Sequence, residues 1–265
     1  MGFLGLSNIL GFDNYFGKNE FNDNSLYDGF WGIWDEPFLQ YVNNTTSKLK
    51  EPFFSTFFSL SSHEPFYVPE KYEGVFPMGD VQMHQVIGYS DNALRKFFES
   101  AKKEPWFENT IFIITADHTN QIHYKEQYLN TINRYAVPIL IYSPNEEYIG
   151  VNEELAQQID IYPTILDMIG YNKPFRSWGR SLVDPTNSTT PFALNYNGSQ
   201  YQFQMDNYIC IFDGEKATGF YNISDKGLEH NLISNRNAEM SKIEDICKAY
   251  IKDYYDRIID KKLSL

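Results

Sequence analysis

Residues 110–120 read TIFIITADHTN. The first six are β-branched or aromatic, the residue types that suit a buried, pleated strand, and the run stops on Asp117 and His118. In an open α/β sheet, ligands gather outside the carboxyl ends of the strands, where strand-end side chains converge on a crevice. A carboxylate beside an imidazole offers one anionic oxygen donor and one neutral nitrogen donor, a combination that suits zinc or manganese better than calcium. Asp-His dipeptides also occur as ordinary solvated strand ends, and that reading stands beside the metal-binding one.

Working outward, the alternation of elements indicates an α/β sheet with helical cover. Before the strand, Val86, Ile87, Leu94, Phe97, Phe98 and Ala101 recur near a 3.6-residue period, predicting an amphipathic helix over 84–103. After it come a strand over 137–144, VPILIYSP, and a helix over 160–170, with Pro163 near its start and Gly170 just past its end. Upstream, PFFSTFFSLSSHEPF carries a dense aromatic run that reads as a buried strand over 53–60, ending at Ser61, Ser62 and His63. A helix begins near Asp35, which is placed to cap it, with Pro37 in its first turn and Phe38, Tyr41 and Val42 on one face. The first forty residues read as loops and short helices. Beyond residue 190 the pattern changes to apolar-polar alternation about Asp213-Gly214, predicting an antiparallel hairpin or meander. A closing helix over 237–259 places Met240, Ile243, Ile246, Cys247, Tyr250 and Ile251 on one face. The partition expected is one domain over 1–265, its α/β part over 1–180 and an antiparallel portion with the terminal helix over 181–265.

Composition narrows the function. The chain has 265 residues and a formal net charge of −13, which repels phosphate backbones, and no Lys/Arg stripe with interleaved aromatics overrides that field. Nucleic-acid binding is excluded as a leading reading. Cys210 and Cys247 have no CxxC spacing and read as two buried thiols, with one disulfide as the alternative. No apolar run approaches the roughly 20 residues that span a bilayer, so the chain reads as soluble unless it is a piece of a longer one. His63 reads either as a surface-loop residue or as a substrate-binding one; His84 leans to a structural role, and His123 and His230 to solvated side chains. No GxSxG elbow, P-loop or GxGxxG after a strand supplies a nucleophile or a phosphate cradle.

Taken together, YSDNALRKFFESAKKEPWFENTIFIITADHT resembles the helix, loop and strand that lead to the Asp-His metal ligands of the sulfatase and alkaline phosphatase superfamily. QIDIYPTILDMIGY followed by WGRSLVD resembles that superfamily's downstream helix and Gly-containing loop. Within it, FWGIWDEPFLQYV, PFFSTFFSLSSHEPF and FDGEKATGFYNI are most similar to the lipoteichoic acid synthase group of phosphoglycerol transferases.

The resemblance implies an alkaline-phosphatase-like mixed sheet flanked by helices, with a small antiparallel C-terminal portion and the N-terminal strands missing. It makes Asp117 and His118 ligands of a divalent metal ion, manganese first with zinc or calcium as alternatives, and His63 a substrate-binding residue for the phosphoryl group or the leaving glycerol. It implies no catalytic residue within this chain: the Thr nucleophile would lie N-terminal to Met1, as would a membrane anchor. The chain would then be a C-terminal fragment, inactive alone and open to self-association. The full-length enzyme would act on a lipid-linked or glycan phosphodiester at the extracytoplasmic face of a bacterial cell membrane. Alternatives are a sulfatase or a phosphoethanolamine transferase, and a non-catalytic binding domain of the same fold.

Overall fold

The computed structural model describes residues 2–120, 128, 132–145 and 149–263. The chain forms two compact units, Met1–Ile111 with Ser143–Glu147, and Phe112–Tyr142 with Tyr148–Leu265.

In the first unit, two short helices, α1 (Phe3–Ile9) and α2 (Lys18–Phe21), precede the main pair, α3 (Asp35–Thr46) and α4 (Met83–Ala101). The helix expected over 84–103 forms, but its buried face is only partly the expected one: Val86 and Ala101 are buried with Met83, Tyr89 and Ala93, Leu94, Phe97 and Phe98 are half-buried, and Ile87 is exposed. α3, whose buried residues include Leu39, Asn43 and Thr46, packs against it. Ala93, fully enclosed, has only a methyl group to place between the packed elements.

Two expectations are corrected here. Trp34, not Asp35, is the N-cap of α3, and it caps with no side-chain hydrogen bond. Asp35 is the first helical residue; its buried carboxylate accepts from Leu60 N at 2.9 Å and Ser61 N at 3.2 Å, and its own N–H donates to Ser61 Oγ at 2.9 Å. The side chain has left the helix terminus to tie down the segment before His63. That segment is also not the buried strand expected over 53–60: it is irregular, with no ladder partner among the described residues. Its rings disperse instead, Phe53 to Trp106, Phe54 to Phe12, Phe57 to Phe38 and Phe58 to Phe3, with centroids 5.3–6.1 Å apart. Phe54 and Phe58 stay 68% and 52% exposed, so the run has neither the burial nor the ladder of a core strand.

The second unit opens with β1 (Phe112–Thr115), paired antiparallel with β2 (Ile139–Tyr142), Phe112 opposite Tyr142 and Thr115 opposite Ile139. Every ladder among the described residues is antiparallel. Next comes α5 (Ile161–Met168), and Gly170 ends its last turn at φ +68°. The alternating sequence beyond residue 190 becomes a four-stranded meander, β3 (Phe192–Tyr196), β4 (Tyr201–Met205), β5 (Tyr208–Phe212) and β6 (Ala217–Asn222), in sequential order. Gly214, at φ +105°, forms the Asp-Gly turn that was expected. α6 (Ala238–Ile259), capped by the Asn237 side chain accepting from Met240 N, covers one face of the meander. Phe203, Cys210 and Phe220 pack there with Met240, Ile243 and Cys247, all buried. Both cysteines are free thiols.

Candidate metal centre

Asp117 and His118 emerge where the β1 ladder ends, and the backbone beneath them is held from several sides. Thr115 Oγ1 donates to Pro138 O at 2.8 Å, and Thr119 Oγ1 donates to Arg134 O at 2.5 Å. Gln158 Nε2 donates to Ala116 O at 2.5 Å and to Asp117 O at 3.2 Å. The pair's own backbone is closed locally, with His118 N–H on Asp117 Oδ1 at 2.9 Å.

The tautomer of His118 follows from its neighbour. Nδ1 lies 2.6 Å from Thr119 O, and a carbonyl can only accept, so Nδ1 carries a proton and, in the neutral ring, the lone pair is on Nε2. A backbone carbonyl that orients the remote ring nitrogen in this way is the usual support of a metal-binding histidine. Nε2 lies 3.5 Å from Asp117 Oδ2, and both side chains are more than half exposed. With the ring neutral, two lone pairs face each other across that gap, and nothing in the pair itself holds them together. The spacing has another use: oxygen and nitrogen donors each about 2.0–2.2 Å from one ion stand close to this separation. In kind and in spacing the two donors fit a divalent ion, as two of the ligands it requires. Among the described residues no cluster of three His, Cys, Asp or Glu side chains is assembled.

His63 belongs to the first unit, in a turn where its N–H donates to Leu60 O and its carbonyl accepts from Phe66 N. Its ring packs on Trp31 with centroids 4.0 Å apart. Glu64 O accepts from Trp31 Nε1 at 2.7 Å and lies 3.2 Å from His63 Nδ1, and His63 is exposed. Trp34, Ser61 and Tyr67 line a hollow of about 10 Å³ beside it, room for one water-sized group. His84 is structural: its Nδ1 accepts from Asp80 N at 3.1 Å, and a Cβ on Gly79 would lie 1.9 Å from that atom. His230 is exposed beside Asp225, and His123 lies outside the described residues.

Sequence reasoning missed Gln158 and the buried post beneath it. Asp160 accepts from Gln157 N at 2.9 Å and Arg180 N at 2.8 Å, while Thr164 Oγ1 donates to Asp160 O and accepts from Leu182 N. Burial raises the Asp160 carboxyl above its ordinary range against the pull of those bonds. The available signal was a pair of glutamines just before a helix start, with an acid three residues after Gln157.

The fold is that of the alkaline phosphatase superfamily, a mixed α/β class. A crystal structure of an alkaline phosphatase superfamily protein from Vibrio parahaemolyticus aligns over 90% of this chain and 59% of its own, with a TM-score of 0.65 and 24% identity. The phosphonate monoester hydrolase of Agrobacterium radiobacter aligns over 87% and 61%, with a TM-score of 0.59 and 14% identity. The sulfatase family model matches residues 4–171, more than half of the sequence, and the chain belongs to the sulfatase family. Among curated relatives, the lipoteichoic acid synthase-like YvgJ of Bacillus subtilis (strain 168) is 24% identical over 263 residues, 84% of this chain and 42% of the relative. The lipoteichoic acid synthase of Staphylococcus aureus (strain USA300) is 29% identical over 204 residues, 67% of this chain and 31% of the relative. The chain thus spans less than half the length of these relatives. Among the described residues no helix is long and apolar enough to cross a membrane.

Proposed function

We propose that this chain carries part of the active site of a metal-dependent phosphoglycerol transferase of the lipoteichoic acid synthase type. Asp117 and His118 are two ligands of its divalent ion, manganese first. The observation that carries the reading is the pair itself: two donors 3.5 Å apart at a strand end, with the imidazole Nδ1 committed to Thr119 O. Similarity to a lipoteichoic acid synthase and its YvgJ-like relative supports phosphodiester chemistry over sulfate ester hydrolysis.

Asp117 supplies a carboxylate with one oxygen facing His118 Nε2, and Gln158 holds its backbone in place. A divalent ion bound there supplies a Lewis acid that polarises a phosphoryl oxygen. His63 is an exposed imidazole packed on the Trp31 ring; it binds a phosphoryl oxygen or the leaving glycerol hydroxyl. The attacking group is assigned to a threonine outside these 265 residues, so the isolated chain is expected to turn over no phosphodiester. The substrate is a lipid-linked or glycan phosphodiester at the extracytoplasmic face of a bacterial membrane, where the full-length enzyme would be anchored.

The test is manganese binding, followed by the electron paramagnetic resonance of free Mn²⁺. Asp117→Ala and His118→Ala are each expected to weaken binding by about tenfold or more, while shifting the urea midpoint of the apo chain by less than about 0.5 kcal/mol equivalent, as exposed substitutions do. Unchanged Mn²⁺ affinity in both variants would remove the pair from the site. Cleavage of bis-p-nitrophenyl phosphate only by a chain extended at its N-terminus supports the transferase reading. Cleavage of an aryl sulfate instead establishes a sulfatase.

A further inference from the structure

The face of the β3–β6 meander that turns away from α6 carries a cavity of about 260 Å³. Its floor is one cross-strand row. Asn195 on β3 pairs with Gln202 on β4, Gln202 with Ile211 on β5, and Ile211 with Gly219 on β6, and all four line the cavity. Tyr135 and Tyr221 are among the residues that wall it. At Gly219 a Cβ would stand 2.7 Å from the Tyr221 ring, so the ring crosses that end of the row because glycine leaves the space.

We infer that this cavity is a binding site for a neutral, polyhydroxylated ligand, a polyol or a single sugar unit. Among the described residues the lining contains amides, hydroxyls, an isoleucine and a leucine, and no charged side chain. A carboxamide both donates and accepts, as a hydroxyl does, whereas a phosphate would enter without a cation to meet it and lose its hydration. Ile211 and the tyrosine rings supply the apolar surface that a C–H face of a sugar or polyol packs against. Gln202 is 5% exposed, lines the cavity, and has an Oε1 with no hydrogen-bond partner. A buried amide oxygen without a partner is unfavourable, and a ligand hydroxyl, reached by a small rotation of the side chain, would satisfy it. The volume is below the range of drug-sized pockets, about 300–1,000 Å³, and matches a small ligand.

This site shares no lining residue with the Asp117–His118 pair, and its occupancy is read without a metal. Ligand-observed NMR on the full chain, titrating glycerol, glucose and inorganic phosphate separately, tests it. Saturable millimolar binding of glycerol or glucose is expected. It should weaken by about fivefold or more in both Gln202→Leu and Asn195→Ala and be unchanged in Asp117→Ala. Glycerol binding alone identifies a polyol site, and glucose binding alone a sugar site. Should Gln202→Leu fail to fold, Asn195→Ala on the edge strand decides. The inference is overturned if neither compound saturates, if the variants that fold bind as the wild type does, or if phosphate displaces the bound hydroxyl compound. Failure of the manganese test leaves this result untouched.

Discussion

Asp35 shows how one side chain can be claimed by two jobs. An acid at the start of a helix is favoured there by the helix dipole, and in the sequence it reads as a cap. In the structure its carboxylate instead accepts the N–H groups of Leu60 and Ser61, and Ser90 Oγ lies at 3.5 Å. Removing it strands one buried and one half-buried donor, so Asp35→Ala is expected to destabilise the chain by about 2–3 kcal/mol, read as a lower urea midpoint. The titration has a definite sign. Burial raises the Asp35 carboxyl above its ordinary value, and the hydrogen bonds only partly oppose this. Between the unfolded value, near 3.9, and the raised folded one, the native state binds more protons, so this group's contribution to stability falls as pH rises and levels off above the folded value. The difference in stability, wild type minus Asp35→Asn, should therefore become less favourable to the wild type as pH rises from about 4. A difference that grows in favour of the wild type would mean that the hydrogen bonds outweigh burial.

At the scale of elements, what was legible depended on where the signal was stored. The helices α4 and α6 were readable because apolar positions repeat at helical spacing; in α6 the expected Met240, Ile243 and Cys247 are buried, whereas in α4 only Val86 and Ala101 of the expected face are, Ile87 is exposed, and Tyr89 and Ala93, which were not expected, are enclosed. Asp117 and His118 were readable as a candidate pair because they end a β-branched run. The segment at 53–60 was misread because aromatic content was taken to mean burial, whereas Phe54 and Phe58 lie largely exposed and the stretch has no ladder partner among the described residues. Gln158 was missed because its contribution is long-range, an amide reaching carbonyls 41 and 42 residues away. Gly179 belongs to the same class. A Cβ there would lie 2.2 Å from Ile159 O and 2.8 Å from Asp160 Cα, backbone atoms that no side-chain rotation can clear. Gly179→Ala is expected to cost about 2–3 kcal/mol of stability and, by displacing the stretch that carries Gln158, to weaken Mn²⁺ binding as well. A variant with an unchanged urea midpoint and unchanged Mn²⁺ affinity would detach this post from the candidate metal centre.

For the molecule as a whole, the net charge of −13 favours cations and disfavours free anions at long range. That suits a divalent ion at an exposed Asp-His pair and an uncharged ligand in the meander cavity. The stability of the second unit rests on the layer between the meander and α6, and its two thiols report on that layer. Cys210 and Cys247 are both fully enclosed. Burial raises the Cys210 thiol far above its ordinary range and pushes Cys247 up to about 12. The thiolate is the reactive species, so in the native chain at pH 8 neither sulfur is both ionised and accessible. Ellman's reagent is expected to find no reactive thiol in buffer and both in urea. At intermediate urea the labelling rate should rise in proportion to the unfolded fraction, because only global opening of this layer exposes the sulfurs. Cys247 lies on the helix and Cys210 on the central strand β5, so the two probes sit on opposite sides of the same seam. If Cys247 labels faster than Cys210 under native conditions, α6 lifts from the sheet as a separate unit, and the layer is less cooperative than its packing implies. Equal rates at every urea concentration would establish that sheet and helix open together.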